Sequence, residues 1–281
     1  MNNTFNIKRF GFVFRKDMIE NLKRYLLLFL TLLGIMAIAV TFNSWVFYSN
    51  NYSADIHLYA NYDSLIMQSF MFLAAGVWFA STFSTPMNSK LKRISFLTFP
   101  ASNLEKFLTR WIVITIGFII AFFTAMWIAD ALRVTICSYV YPEIDIKYLD
   151  LSKLVYPGKD YSLRGYMVPK SVFILLLCLY FLLQSIFLLG STFWEKLSFI
   201  KTFTACTVIC TAIFYICRLT IILFYGNLDV FGNMMRSFEW LDTMTEEKVS
   251  LIAASIMAVF TVTFWVVSYF RLKESEIINR L

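Results

Sequence analysis

Histidine occurs once in this sequence of 281 residues, at His57, so neither a two-histidine zinc motif nor a serine and histidine couple can be assembled. Cys206, Cys210 and Cys217 share one helix face. That spacing could offer thiolates to a soft metal, but no further ligand accompanies it, and small apolar packing is the expectation. The run Pro157-Gly158-Lys159-Asp160 superficially suggests a phosphate-binding loop, yet Lys153 stands where such a loop requires glycine. Asp130 and Arg218 are charges set within apolar stretches. Asp130 can pair with Arg133 on its own helix face, or across helices with Arg218 at a similar depth, and the spacing leaves both open. The chain is therefore expected to be no enzyme, to have no catalytic residue and no metal, and to bind no cofactor. Its energy must come from elsewhere.

The elements that would position these groups are apolar and long. Hydrophobic residues make up 59% of the chain and phenylalanine alone accounts for 30 positions, more than a soluble core of this size needs. A helix crosses the hydrocarbon of a bilayer in about 20 residues. Six stretches reach that length: Tyr25 to Phe47, Leu65 to Ser84, Trp111 to Leu132, Val172 to Trp194, Thr202 to Tyr225 and Val249 to Phe270. The expected fold is an all-α membrane protein with a single six-helix domain over residues 25–281, preceded by a surface segment over residues 1–24.

Charge sets the orientation. With the N-terminus inside, the cytoplasmic segments carry 16 Lys and Arg against 6 acids, and the opposite side carries 8 against 11. An excess of Lys and Arg on one side is the mark of cytoplasmic loops, which places both termini inside. The net charge of +7 then reflects topology and attraction to lipid headgroups, and no nucleic acid is expected as a partner. In the N-terminal segment Phe10, Val13, Phe14, Met18 and Leu22 fall on one helical face, and Arg15, Lys16 and other charges on the opposite one. That pattern predicts an amphipathic helix lying along the inner surface.

Inside the spans, Gly117, Ala121, Ala125 and Ala129 recur every fourth residue, a stripe of small side chains along which another helix can approach closely. Gly76 and Ala80 of the second span are candidates to face it, and a contact with a second protomer is the other candidate. All five prolines lie outside the spans or at their ends, so the chain lacks the broken helices of ion-coupled carriers.

The basic segment between the second and third spans runs from Ser89 to Arg110 and contains Lys90, Lys92, Arg93, Leu97, Pro100, Ser102, Glu105 and Lys106. Pro100 divides it into two short helices, and Ser102 with Glu105 three residues on forms the signature of a capping box. This segment resembles the membrane subunits of ABC transporters of the ABC-2 type. There a basic helix leads to a Leu-x-x-Pro-x-Ser turn, matched here by Leu97, Pro100 and Ser102, and a basic residue opens the third span, where Lys106 and Arg110 stand. The six-span plan and the helix before the first span are similar too, while the acidic residue and Gly-Thr common in that family's basic helix are replaced here by Lys90, Lys92, Arg93 and Ser95. The resemblance implies a permease subunit in the bacterial cytoplasmic (inner) membrane. Its partners would be a second permease subunit, identical or related, membrane lipids, and a soluble ABC ATPase that binds the ATP. Export of an apolar or amphipathic substrate is the implied activity, with Lys90 to Lys106 coupling to the ATPase and Phe10 to Leu22 moving with it. The rival expectation is a non-transporting membrane anchor, sensor or immunity protein that binds some other cytoplasmic factor.

Overall fold

The computed structural model describes residues 5–50, 56–85, 94, 99–144, 146–149, 162–163, 166–167, 171–194, 196–226 and 246–278. Among them the chain is helical apart from short turns and one small ribbon. The elements are α1 (Ile7–Asn50), α2 (Ile56–Ala80), α3 (Asn103–Ile112), a π-turn (Val113–Gly117), α4 (Phe118–Val140), β1 (Ser162–Leu163), β2 (Tyr166–Met167), α5 (Ser171–Phe193), α6 (Ser198–Tyr225) and α7 (Glu246–Ile278). The strands pair antiparallel, Ser162 opposite Met167 and Leu163 opposite Tyr166. Helix α3, the π-turn and α4 form one continuous rod. Six helical stretches are long and apolar enough to cross a membrane, as expected of a multi-pass membrane protein.

The helices extend well past the apolar stretches. His57, expected in a loop, lies in the first turn of α2, and Arg133 and Tyr139, expected beyond the third span, belong to α4. Hydropathy reports where lipid is tolerated, whereas a helix continues wherever its backbone hydrogen bonds can. The larger difference concerns the N-terminal segment. Helix α1 runs for 44 residues with no break at residue 24 or 25, so the surface segment is not a separate element. Val13 is buried and Phe10, Phe14 and Met18 are half-buried, while Phe12 and Ile19 are exposed. Leu22, the fifth residue of the expected apolar face, is also exposed, so that face is turned onto the protein only in part, where α1 packs against α3.

Helix α1 lies along both α2 and α4, α2 also packs on α5, and α5 carries α7 and the start of α6. Aromatic rings fill the middle, where Phe72 stacks on Tyr180 at 4.4 Å and meets Phe122 edge-on at 5.0 Å. Between helices in lipid it is this contact, rather than escape from water, that favours association. Gly76 lies against the Tyr180 and Phe118 rings, a Cβ there falling 2.5 Å from Tyr180 Cε2. Ala80 joins a separate cluster with Phe83, Phe107 and Ile114. The nearest atoms at Gly76 are thus those of aromatic rings rather than of the small-residue stripe. Ala125 and Ala129 are fully buried where α1 packs along α4, whereas Gly117 and Ala121 open onto a groove.

Candidate functional site

The region around Ser102 is built from local chemistry upward. The Ser102 hydroxyl accepts from the Glu105 backbone N–H at 3.3 Å, and Glu105 Oε2 accepts from the Ser102 N–H at 3.0 Å, so two free amides at the start of α3 are satisfied reciprocally. Glu105 does more than cap. Its Oε2 accepts from Arg9 Nε at 2.7 Å, while Oε1 accepts from Arg9 Nη2 at 2.8 Å and from the Asn6 backbone N–H at 2.8 Å. The Asn6 side chain in turn accepts from Lys8 N–H at 2.9 Å and caps α1. A forked guanidinium and carboxylate contact of this kind fixes orientation as well as distance. It ties the first turn of α1 to the first turn of α3, and Glu105 is left with no exposed side-chain surface.

A second tie lies deeper. Arg110 Nη2 is 3.1 Å from Asp17 Oδ1, and Asp17 also accepts from the Tyr25 hydroxyl at 2.9 Å and from Asn21 Nδ2 at 3.1 Å. Arg24 Nη2 donates to Thr85 Oγ1 at 3.2 Å, joining the turn after α2 to the same assembly. Lys16 sits over the Phe99 ring at 4.0 Å and 3.7 Å from Glu20. This end of the bundle, where the first turns of α1 meet the start of the rod and which forms an elbow between them, is therefore a polar seam.

The expected partner-facing residues divide accordingly. Ser102, Glu105 and Lys106 are buried within the chain, so they are not the surface a soluble partner would press. A carboxylate three residues after a capping serine points back toward the helix start, and there the donors of Asn6 and Arg9 enclose it. Pro100 and Arg15 are exposed. Lys90, Lys92, Arg93 and Leu97 lie outside the described residues.

At the far end, Asp130 pairs with Arg133 and not with Arg218. Arg133 Nε donates to Asp130 Oδ1 at 2.8 Å, Nη1 to Asn61 Oδ1 at 3.1 Å and Nη2 to the Lys147 carbonyl at 2.8 Å, and Leu149 N–H donates to Asp130 Oδ2 at 2.8 Å. The pair, entirely buried at Arg133, holds residues 147–149 down on α2 and α4. Arg218 is exposed on α6, which shows no buried residue over most of its length. The three cysteines of that helix lie at its accessible surface or only half-buried, and no cluster of three metal-ligating side chains forms among the described residues.

Between the two ends is an arrangement that the sequence motifs do not announce. The π-turn carries Thr115 inward, its hydroxyl accepts from Gln184 Nε2 of α5 at 2.9 Å, and Gln184 Oε1 accepts from the Trp265 indole N–H of α7 at 3.1 Å. One amide thereby links three helices in the apolar middle of the bundle. π-Turns commonly mark functional positions, because the extra residue re-aims side chains. The available signal is compositional: the chain has two glutamines, Gln68 and Gln184, and both stand in apolar spans.

Beside the seam, α1, α2 and the rod enclose an apolar groove of ≈ 630 Å³ floored by Gly117 and Ala121 and walled by Phe29, Trp78 and Phe79. It has the size and lining of a site for an apolar molecule. The chain matches no known family model, no characterised protein and no solved structure.

Proposed function

We propose that the chain is the permease subunit of an ABC-2-like ATP-driven transporter, exporting an apolar or amphipathic substrate with ATP hydrolysed on a separate soluble subunit. Its setting would be a bacterial cytoplasmic membrane with both termini inside. The observation that carries the reading is the elbow. Glu105 and Arg110 bind α3 to Arg9 and Asp17 of α1, and both helices continue unbroken into spans, so a force applied near Pro100 reaches two transmembrane rods together. A conduit driven from outside itself needs such a rigid input. The surface that meets the ATPase would be Pro100 and the basic residues before it, since Glu105 and Lys106 are engaged within the chain. The apolar groove supports the substrate class, and the uncovered α6 leaves room for a second permease subunit, identical or related.

The direct test is co-purification of the tagged chain from its native cells, followed by ATP turnover of the isolated complex. A soluble partner with a phosphate-binding loop is expected, together with ATPase activity that falls severalfold when Lys90, Lys92 and Arg93 are all changed to Glu. Absence of any ATPase from the complex, or activity indifferent to the charge reversal, would remove the coupling assignment. A cysteine introduced beside Pro100 should react with an impermeant maleimide only in broken cells, and labelling in intact cells would invert the topology.

A further inference from the structure

The two glutamines are in opposite states. Gln184 has both ends of its amide bonded, whereas Gln68, buried to 2% exposure in α2, has no partner for Nε2 or for Oε1 among the described residues. Buried polar groups in folded proteins are almost always paired, and more so where the surroundings are hydrocarbon, so an amide left open at both ends points to a ligand. Gln68 lines a narrow cleft between α2, α4 and α5 whose free space is ≈ 20 Å³. That is room for one water-sized group. Phe72 and Phe122 are its buried walls, and the half-exposed Phe123, Phe173 and Leu177 lead outward from it. The neighbouring hydroxyl, Ser69 Oγ, is turned away to the Leu65 carbonyl at 2.9 Å.

We propose that this cleft binds the hydroxyl of a slender amphiphile, such as a long-chain alcohol, with its chain lying along the phenylalanine mouth. No ionisable residue lines the cleft among the described residues, so a carboxylate or ammonium head would be stripped of water without a countercharge. A larger neutral head does not fit. A hydroxyl can accept from the amide nitrogen or donate to the amide oxygen, and so meets Gln68 whichever way the amide is turned. The apolar mouth favours a molecule that arrives from lipid over one that arrives from water. The site stands apart from the transport reading, since it is formed by one chain and needs no ATPase.

The test uses the full-length protein in phosphatidylcholine nanodiscs and three photoreactive probes that carry a diazirine at the same carbon: dodecanol, dodecane and dodecanoic acid. Cross-linked peptides are read by mass spectrometry. Dodecanol is expected to label the segments 65–72 and 122–126 about fivefold more than dodecane, the worth of one neutral hydrogen bond, with dodecanoic acid the weakest. Gln68→Leu should bring dodecanol labelling down to the dodecane level, with Gln68→Met as the second variant should Leu fail to fold, and excess unlabelled dodecanol should compete on the native protein. Equal labelling by dodecanol and dodecane, a preference that survives both substitutions, or no labelling of the cleft at all, as expected if it holds only a water molecule, would each overturn the site.

Discussion

The rod formed by α3, the π-turn and α4 carries an ion pair with a buried carboxylate toward each extremity, and the two are built differently. At the far end Arg133 and Asp130 are three residues apart on one helix, and the pair then gathers Asn61 and the backbone of Lys147 and Leu149. At the elbow end Glu105 waits for Arg9 and Asn6, 96 and 99 positions away, and without them it is an ordinary capping residue. The far pair is thus preformed by its own helix and recruits a loop. The elbow pair exists only when two helices have met. A preformed pair suits a static closure, and a pair made by docking suits a joint through which one element moves another.

The contrast can be broken first at the far end, where the effect is largest. Arg133→Met leaves Asp130 buried with a single backbone donor. Removing one partner from such a pair costs about 3–5 kcal/mol, so folding yield should fall sharply and the melting midpoint with it. Dye labelling of Cys137, itself buried beside this end, reports the opening when the other four cysteines are replaced by serine. An unchanged midpoint would mean that the pair does not hold the loop. At the elbow, Arg9→Ala should cost less than Arg133→Met, because Arg9 is 31% exposed and Glu105 keeps the Asn6 and Ser102 amides. Its specific signature is a loosened N-terminus: protease cleavage between Lys8 and Arg15 should accelerate while the midpoint moves modestly. Cleavage at the native rate would show that the first turns of α1 are held by something else.

In the middle of the rod, Gln184→Leu leaves Thr115 and the Trp265 indole without their bonds. Hydrogen bonds between transmembrane helices are worth about 0.6 kcal/mol on average and up to about 2, so a midpoint shift smaller than that of Arg9→Ala is expected. Restoring the native midpoint by adding Thr115→Val would show that the orphaned hydroxyl is the source of the loss. A Gln184→Leu protein as stable as the native one would mean that the bridge contributes nothing.

These differences also explain what could be read in advance. Six spans follow from run length alone, because lipid imposes the same requirement on every crossing segment. Asp130 with Arg133 was one of two pairings that spacing allowed, and the Ser102 and Glu105 capping box was readable because its members are three residues apart. Arg9 with Glu105 was hidden because helical periodicity carries no information on which residues 96 positions apart will meet. The N-terminal helix shows the same limit: a face holding Phe10, Val13 and Phe14 suits lipid and suits α3 equally, and only the polar partners Arg9 and Asp17 decide for protein. The π-turn has no marker in the run from Val113 to Gly117. Gln68 and Gln184 were visible as polar residues in apolar spans, yet which of them would be satisfied depended on where Thr115 and Trp265 arrived.

The smallest effect is expected at Arg218, and it tests the comparison by its absence. The carboxylates of both end pairs are buried, but Arg218 is exposed on α6 and Asp130 is already engaged by Arg133 and Leu149. Arg218→Gln in the isolated chain should therefore shift the midpoint by no more than about 0.5 kcal/mol, the range of exposed substitutions. A double-mutant cycle makes the point sharper. Asp130→Asn combined with Arg133→Gln should show a coupling of about 1–3 kcal/mol, as groups in direct contact do, while Asp130→Asn combined with Arg218→Gln should be additive to within about 0.5 kcal/mol. Equal coupling in the two cycles would mean that Asp130 is shared across helices and that the far end, like the elbow, is assembled by docking. Additivity with Arg218 keeps the two ends distinct and leaves α6 as the span whose charge is uncommitted among the described residues.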